Sequence, residues 1–405
     1  MEERKRNFDI LMVCTEYPPM QGGIGRYTFN LVKSLRAKGI EIKVLSNSDG
    51  AGDYDGLSPT NKNNSEILYN LVQKLNPDIV HIQYDHGLFG FDLHPLFPNR
   101  TKTGFDKFYS ICKVPIVTTF HTSYKFNQWM QSILINGKDP LHLKYLYEYW
   151  KYLINYSSFQ RINTHAMSKS SAGIVFSNYM ANLVPGTKVI YHGAEPFQSV
   201  EIEQKEARKM LSLPENERIV LVQGFLTASK GWNIIKKMDI PEGWKLVINY
   251  SKNHYNKQMI DLKLNNKKNI IDLEKDYLSE EDLSLLFFAS DIVFLPYKAI
   301  AGSGTMFDGL GHGKPFLATN AGFFKEFSKL NLGIVTERNT SSFEKGLKTV
   351  NKNYELLKSN VDEFRKNLKW ELVAKQHLEI YENILNANKD KDIKLIATKK
   401  VPEKS

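Results

Sequence analysis

Apolar residues gather along this chain in short runs, and between most of the runs lies a stretch whose apolar positions recur three or four apart. The first run, FDILMVC (residues 8–14), is followed by YTFNLVKSLRAKG, an amphipathic stretch stopped at Gly39, and then by a second run, IEIKVLS. A continuous apolar run bounded by turn residues reads as a buried strand, and three-to-four spacing reads as a helix with one buried face. EILYNLVQKLN gives another helix, DIVHIQY and VPIVTTFH give further strands, and AGIVFS and TKVIYHG continue the series. Strands alternating with helices imply right-handed βαβ units and so a parallel sheet.

The pattern breaks over the charged stretch SVEIEQKEARKMLSLPENE and then restarts. RIVLVQG, WKLVINYS, KNIIDLE, DIVFLPY and KPFLAT read as strands, with SEEDLSLLFFAS and TMFDGLGHG as helices between them. The expectation is an α/β protein of two Rossmann-like, doubly wound halves, residues 1–195 and 196–365, joined near residues 195–217. The spacing over 341–388 is mostly helical, and residues 389–405, KDKDIKLIATKKVPEKS, read as a flexible basic tail. Two such halves facing each other leave a cleft at the carboxyl ends of their strands, where ligands bind in this class.

A chain of 405 residues has room for two cores, and 42% hydrophobic with 12% aromatic content excludes disorder. No apolar run approaches the ~20 residues of a membrane span. The opening MEERKRNFDILMV is too short and too quickly punctuated for a signal peptide. Cys14 and Cys112 lie far apart without CxxC spacing, which points to a reducing compartment and away from zinc or a disulfide framework. A cytoplasmic protein is expected. The net charge of +10 invites a polyanion: nucleic acid, an anionic membrane face or phosphorylated substrates. Dispersed basic residues and the lack of any RNP, KH or zinc-finger pattern argue against nucleic acid.

Three stretches carry the candidate chemistry. In TEYPPMQGGIGRYT, Gly22, Gly23 and Gly25 connect a strand to a helix. Such a turn brings backbone close to a ligand and offers the free N–H groups of the helix end, although a plain tight turn needs glycines too. In QGFLTASKGW, Lys230 follows a strand and precedes a glycine and a helix, a place from which an ammonium can meet a phosphate oxygen. In PYKAIAGSGTMFDGLGHGKP, the residues Gly302, Ser303, Gly304 and Thr305 sit at a helix N-terminus, and a diphosphate is the natural occupant. Asp308, about one turn inside, can accept hydrogen bonds from ribose hydroxyls or simply favour the helix dipole. Gly309, Gly311 and Gly313 weaken that helix unless another backbone packs close. His121 ends the strand VPIVTTFH in a polar cluster, and His192 holds the same position after TKVIY, on the interlobe wall.

Together these pieces resemble the GT-B glycosyltransferases, in particular the large retaining family 4. The matching stretches run in order through nearly the whole chain: GGIGRY, NPDIVHIQYDHGLFG, VPIVTTFHTS, KVIYHGAEP, VQGFLTASKG, SGTMFDGLGHGKPFLAT and WELVAKQHLEIYENIL. The resemblance implies that the last helix, within residues 366–388, crosses back onto the first domain. It also implies that Gly22 and Gly23 line the cleft beneath the diphosphate and sugar of a nucleotide-sugar donor. Two positions depart from the family pattern: Phe225 stands where an arginine commonly partners the lysine, and Ile300 where the first of two glutamates commonly stands, Asp308 matching the second.

By the same resemblance, a hexose passes from a nucleotide-diphosphate sugar to a saccharide or lipid-linked acceptor with retention. Lys230, the amides of residues 302–305 and the Gly22 and Gly23 loop would stabilise the leaving diphosphate. His121 would meet the transferred sugar, and no metal or other cofactor is expected, because those positive groups could do the electrostatic work. Related GT-B readings are a sugar-nucleotide epimerase, a phosphorylase and a non-catalytic binding scaffold. Residues 124–160 insert an aromatic, basic stretch after His121. Its Lys144, Tyr145, Tyr149, Trp150, Lys151 and Tyr152 either form a core helix or make a peripheral contact with the inner membrane face, where a lipid-linked acceptor would lie.

Overall fold

The computed structural model describes residues 8–133, 143–196, 201–251, 269–273 and 275–399. Continuous apolar runs with helices on both faces give parallel strands, as in doubly wound sheets. The first sheet has seven, in the order Tyr54–Leu57, Glu41–Asn47, Asp9–Val13, Ile79–Tyr84, Ile116–Phe120, Ala172–Val175, Thr187–Val189. Ile10 pairs with Ile42 on one side and Ile79 on the other, and the run of residues 10–13 is almost fully buried. The second sheet has six, in the order Ile270–Asp272, Trp244–Ser251, Arg218–Phe225, Ile292–Leu295, Phe316–Thr319, Gly333–Thr336.

Tyr54–Leu57 and Gly333–Thr336 are four-residue edge strands that the apolar pattern did not announce. An edge strand is half-solvated and needs no continuous apolar run, and YDGL in particular reads as a turn. The central strands were all visible in the sequence.

In each sheet the order reverses beside the lobe's first strand, between Asp9–Val13 and Ile79–Tyr84 and between Arg218–Phe225 and Ile292–Leu295. Loops diverge there and leave a crevice at the strands' carboxyl ends. The stretches TEYPPMQGGIG, QYDHG, QGFLTASKG and PYKAIAGSG all leave strands that border these two switch points.

The last helix, Trp370–Lys399, crosses back onto the first lobe and packs against the helix Gly23–Ala37. Its Val373, Leu378 and Tyr381 are buried in the first lobe's core. The Trp370 amide donates to Glu195 Oε2 at 2.8 Å, and the Ala194 amide donates to the Leu368 carbonyl at 2.8 Å, which ties the crossing to the hinge. Residues 389–399, assigned to the tail, continue this helix. Gly311 explains one of the helix-weakening glycines: a Cβ there would stand 2.7 Å from the Ala194 carbonyl oxygen, so hinge and helix meet backbone to backbone.

Candidate functional site

The glycine turn of the first lobe is built around a carboxylate. Glu16 folds back so that its Oε2 accepts the Ile24 amide at 3.0 Å and the Gly25 amide at 3.2 Å, at the start of the helix Gly23–Ala37. A Cβ on Gly22 would lie 1.7 Å from Glu16 Cδ, whereas one on Gly23 would meet nothing within 4 Å. Burial pushes the Glu16 carboxyl up to about 7, against the pull of the two amides and with a push from Asp85. This corrects the expectation that the helix end lies open to a diphosphate. The chain's own carboxylate holds that place, Gly22 is glycine for its sake, and Gly23 is the position that faces open space.

The second lobe's turn is arranged differently. Ser303 caps the helix Gly304–Gly311 by accepting the Met306 amide on Oγ at 3.1 Å. The first amides of a helix have no partner within it, and among the described residues those of Gly304 and Thr305 meet no acceptor. The Ser303 hydroxyl keeps its proton to donate. Lys230 stands in the turn Ala228–Lys230, with Nζ 2.8 Å from the Tyr297 hydroxyl and 4.1 Å from its ring centroid. Gly224, on the strand before it, approaches the Lys230 side chain. Phe225 stacks on Tyr277, whose hydroxyl faces the Gly22 amide across the cleft.

Asp308 is turned toward the other lobe. Its Oδ2 accepts from the Arg26 guanidinium, which rises from the first lobe's helix, and only 4% of the Asp308 side chain is exposed. Arg26 lies inside the quoted stretch GGIGRYT, yet its partner stands 282 residues away and no local spacing points to it.

His121 and His192 close the first lobe's side. The His121 carbonyl oxygen lies 3.6 Å from where a Gly302 Cβ would be, and His192 Nε2 lies 3.7 Å from where a Gly304 Cβ would be. His121 donates its backbone amide to the Tyr84 carbonyl, while its ring packs on Tyr27 and Phe176. Burial lowers His121 to about 4 and His192 to about 3, so both rings are neutral near pH 7. The His192 ring lies parallel to Phe307, 5.5 Å away, and its Nδ1–H donates to the Gly193 carbonyl. That leaves Nε2 as a lone pair facing the serine–glycine turn. The structure thus brings His121, His192, Gly302, Gly304 and Asp308 to one interlobe wall, with Gly23 and Lys230 on flanking turns. Glu16, Arg26 and Tyr277 belong to the same wall and were not singled out from the sequence.

Residues 21–193 match the sequence profile of Glycosyltransferase Family 4. No curated protein matches the chain in sequence. Among solved structures, sucrose-phosphate synthase from Thermosynechococcus elongatus is 13% identical with a TM-score of 0.68, over 94% of this chain and 100% of that one. HepE from Anabaena, solved with UDP and glucose, is 14% identical with a TM-score of 0.61, over 93% and 100%. WaaG, a glycosyltransferase involved in lipopolysaccharide biosynthesis, is 15% identical with a TM-score of 0.59, over 92% and 99%. At such identities the likeness establishes the shared two-lobed fold.

Proposed function

We propose that the chain is a glycosyltransferase that moves a hexose from a nucleotide-diphosphate sugar to a saccharide or lipid-linked acceptor with retention at the anomeric carbon. The Glycosyltransferase Family 4 match over residues 21–193 and the two GT-B lobes facing across a cleft support this reading. The observation that carries this reading is the open helix end at Gly304 and Thr305 set against the two neutral histidines. The complex of Anabaena HepE with UDP and glucose supports a nucleotide sugar as donor.

The amides of Gly304 and Thr305, the Ser303 hydroxyl and the Lys230 ammonium hold the donor's diphosphate. As the bond from the anomeric carbon to the phosphate oxygen breaks, negative charge grows on the leaving diphosphate. Groups already aimed there stabilise that charge more than they stabilise the bound donor. The acceptor oxygen bonds to the anomeric carbon on the face the diphosphate leaves, and the acceptor's proton passes to the departing phosphate oxygen. The His121 carbonyl turns its negative end toward the oxocarbenium-like carbon. Asp308 Oδ1 takes a ribose hydroxyl, and Gly23 gives the sugar room.

The acceptor side lies toward the inserted helix Leu143–Lys169. Leu143 is 82% exposed and Trp150 53%, with Leu146, Tyr147 and Tyr149 also exposed and Leu96 and Phe97 exposed on the loop beside it. Tyr152 instead turns inward onto Trp129. Among the described residues no helix is long and apolar enough to cross a membrane. Lys151 is paired with Glu148 at 2.7 Å, and the aromatic edge with Lys144 suits a peripheral contact with an anionic bilayer near a lipid-linked acceptor. Sedimentation with anionic vesicles at low salt checks it, and no binding there removes the idea.

The deciding experiment is turnover with UDP-, GDP- and ADP-sugars, chosen by which raises the melting temperature. Lys230→Ala is expected to lower kcat/KM for the donor at least about a hundredfold with unfolding unchanged. Near-normal turnover by that variant would count against the assignment. Free sugar released without acceptor marks an epimerase, dependence on inorganic phosphate a phosphorylase, and donor binding without turnover a scaffold.

A further inference from the structure

A chain of buried polar contacts runs from the terminal helix to His121. The Tyr381 hydroxyl lies 2.7 Å from His81 Nδ1, and His81 Nε2 lies 2.8 Å from Thr119 Oγ1 and 3.3 Å from Gln83 Nε2. Gln83 Oε1 lies 2.9 Å from His121 Nε2. Tyr381, His81, Thr119 and Gln83 are each at most 1% exposed, so the chain is sealed from bulk water up to His121, which is partly exposed. The sense of the Gln83 amide is set by its other neighbour, Met12 Sδ at 3.2 Å. A thioether sulfur can accept weakly and cannot donate, so the amide nitrogen belongs on the sulfur side and the carbonyl oxygen on the His121 side. A carbonyl oxygen only accepts, and His121 must then carry its proton on Nε2. His81 fits the same arrangement, taking the Gln83 amide and the Thr119 hydroxyl on Nε2 and donating Nδ1–H to Tyr381.

Among the described residues no partner meets His121 Nδ1. We propose that Gln83 is a positioning residue for glycosyl transfer: clamped by His81, which the terminal helix holds through Tyr381, it fixes the His121 ring with the proton on Nε2 and presents Nδ1 as an acceptor for a hydroxyl of the transferred sugar. This rests on the transferase reading above and gives the returning helix a second task beside covering the first lobe. A ring free to take either tautomer offers that hydroxyl an N–H as often as a lone pair.

The test pairs nitrogen-15 NMR of the histidine side chains with steady-state kinetics on the donor the protein turns over. The unaltered protein is expected to show His121 protonated on Nε2 at pH 7. Gln83→Leu is expected to give mixed tautomers and a roughly tenfold lower kcat with donor KM within about twofold, the worth of one oriented hydrogen bond. Gln83→Glu keeps an acceptor at Oε1 and is expected to restore the Nε2–H form. If Gln83→Leu does not fold, Tyr381→Phe removes a single oxygen and is expected to shift tautomer and kcat the same way by two- to threefold. A proton on His121 Nδ1 in the unaltered protein overturns the proposal, and so does a Gln83→Leu variant with unchanged tautomer and kcat. Failure of the unaltered protein to turn over any nucleotide sugar would instead sink the transferase reading, and the nitrogen shifts would still decide how Gln83 holds the ring.

Discussion

QGGIGRYT in the first lobe and AGSGTMFD in the second both leave a central strand and enter a helix at a topological switch point, and both spend glycines on the way. In the first, Glu16 occupies the helix end and takes two of its amides. In the second, Ser303 takes only the Met306 amide and leaves the first turn's other donors unused. The same dipole and the same orphan N–H groups therefore end in opposite states, one filled by the protein's own carboxyl group and one open to a ligand's anion. Glycine content marks both turns as places of close approach. What approaches is decided by the residue that folds back, six positions before Gly22 in one case and one after Gly302 in the other.

The largest effect is expected where the two helices meet. Arg26, three residues into the first helix, pairs with Asp308 in the second, and both side chains are mostly buried. Removing one member strands the other charge at the interface, which costs about 3 kcal/mol or more. Arg26→Ala should lower stability in urea unfolding by that amount, and Arg26→Met with Asp308→Asn should recover most of it. If the double variant is as unstable as the single, the pair is not what joins the helices.

Next in size is the contrast between neighbouring glycines. Gly22→Ala drives a methyl into the Glu16 carboxylate and should cost about 2 kcal/mol as the cap is displaced. Gly23→Ala enters open space and should change stability by less than about 1 kcal/mol, with helix propensity in its favour. It should nevertheless weaken donor use, since that space is where the sugar is proposed to lie. Equal melting temperatures for the two variants would erase the distinction drawn between them.

The same contrast shows what the sequence could reveal. Strand-to-helix alternation gave both lobes and the central strands, because a strand buried on both faces must be apolar throughout and that pattern is local. Of the four edge strands, Thr187–Val189 and Ile270–Asp272 were read from TKVIYHG and KNIIDLE, while Tyr54–Leu57 and Gly333–Thr336 were missed because half-exposed residues need no pattern. The second lobe's turn was legible since its cap, Ser303, lies within the turn itself. The first was misread in its detail because Glu16 stands on the far side of two prolines and acts by folding back. Arg26 and Gln83 were out of reach for the same reason: their partners, Asp308 and the chain from His121 to Tyr381, are brought together only by the fold.

The smallest effect concerns the filled turn alone and is visible only as a difference in pH dependence. Burial raises the Glu16 carboxyl to about 7 in the folded protein from an ordinary value of 4.5. Between these values the folded chain holds the proton and the unfolded chain has released it. Stability rises with pH only where the unfolded state binds more protons, so here it falls as pH climbs from 4.5 to 7, and beyond 7 the contribution is constant. Glu16→Gln keeps an oxygen to accept the Ile24 and Gly25 amides and has nothing to titrate. Urea unfolding of both proteins at several pH values should show the parent losing stability relative to the variant across that window and running parallel above it. Histidines that titrate in both proteins cancel in the difference. Curves parallel at every pH would mean that Glu16 titrates alike in the folded and unfolded chains, so that water reaches the turn and burial does not govern its carboxyl.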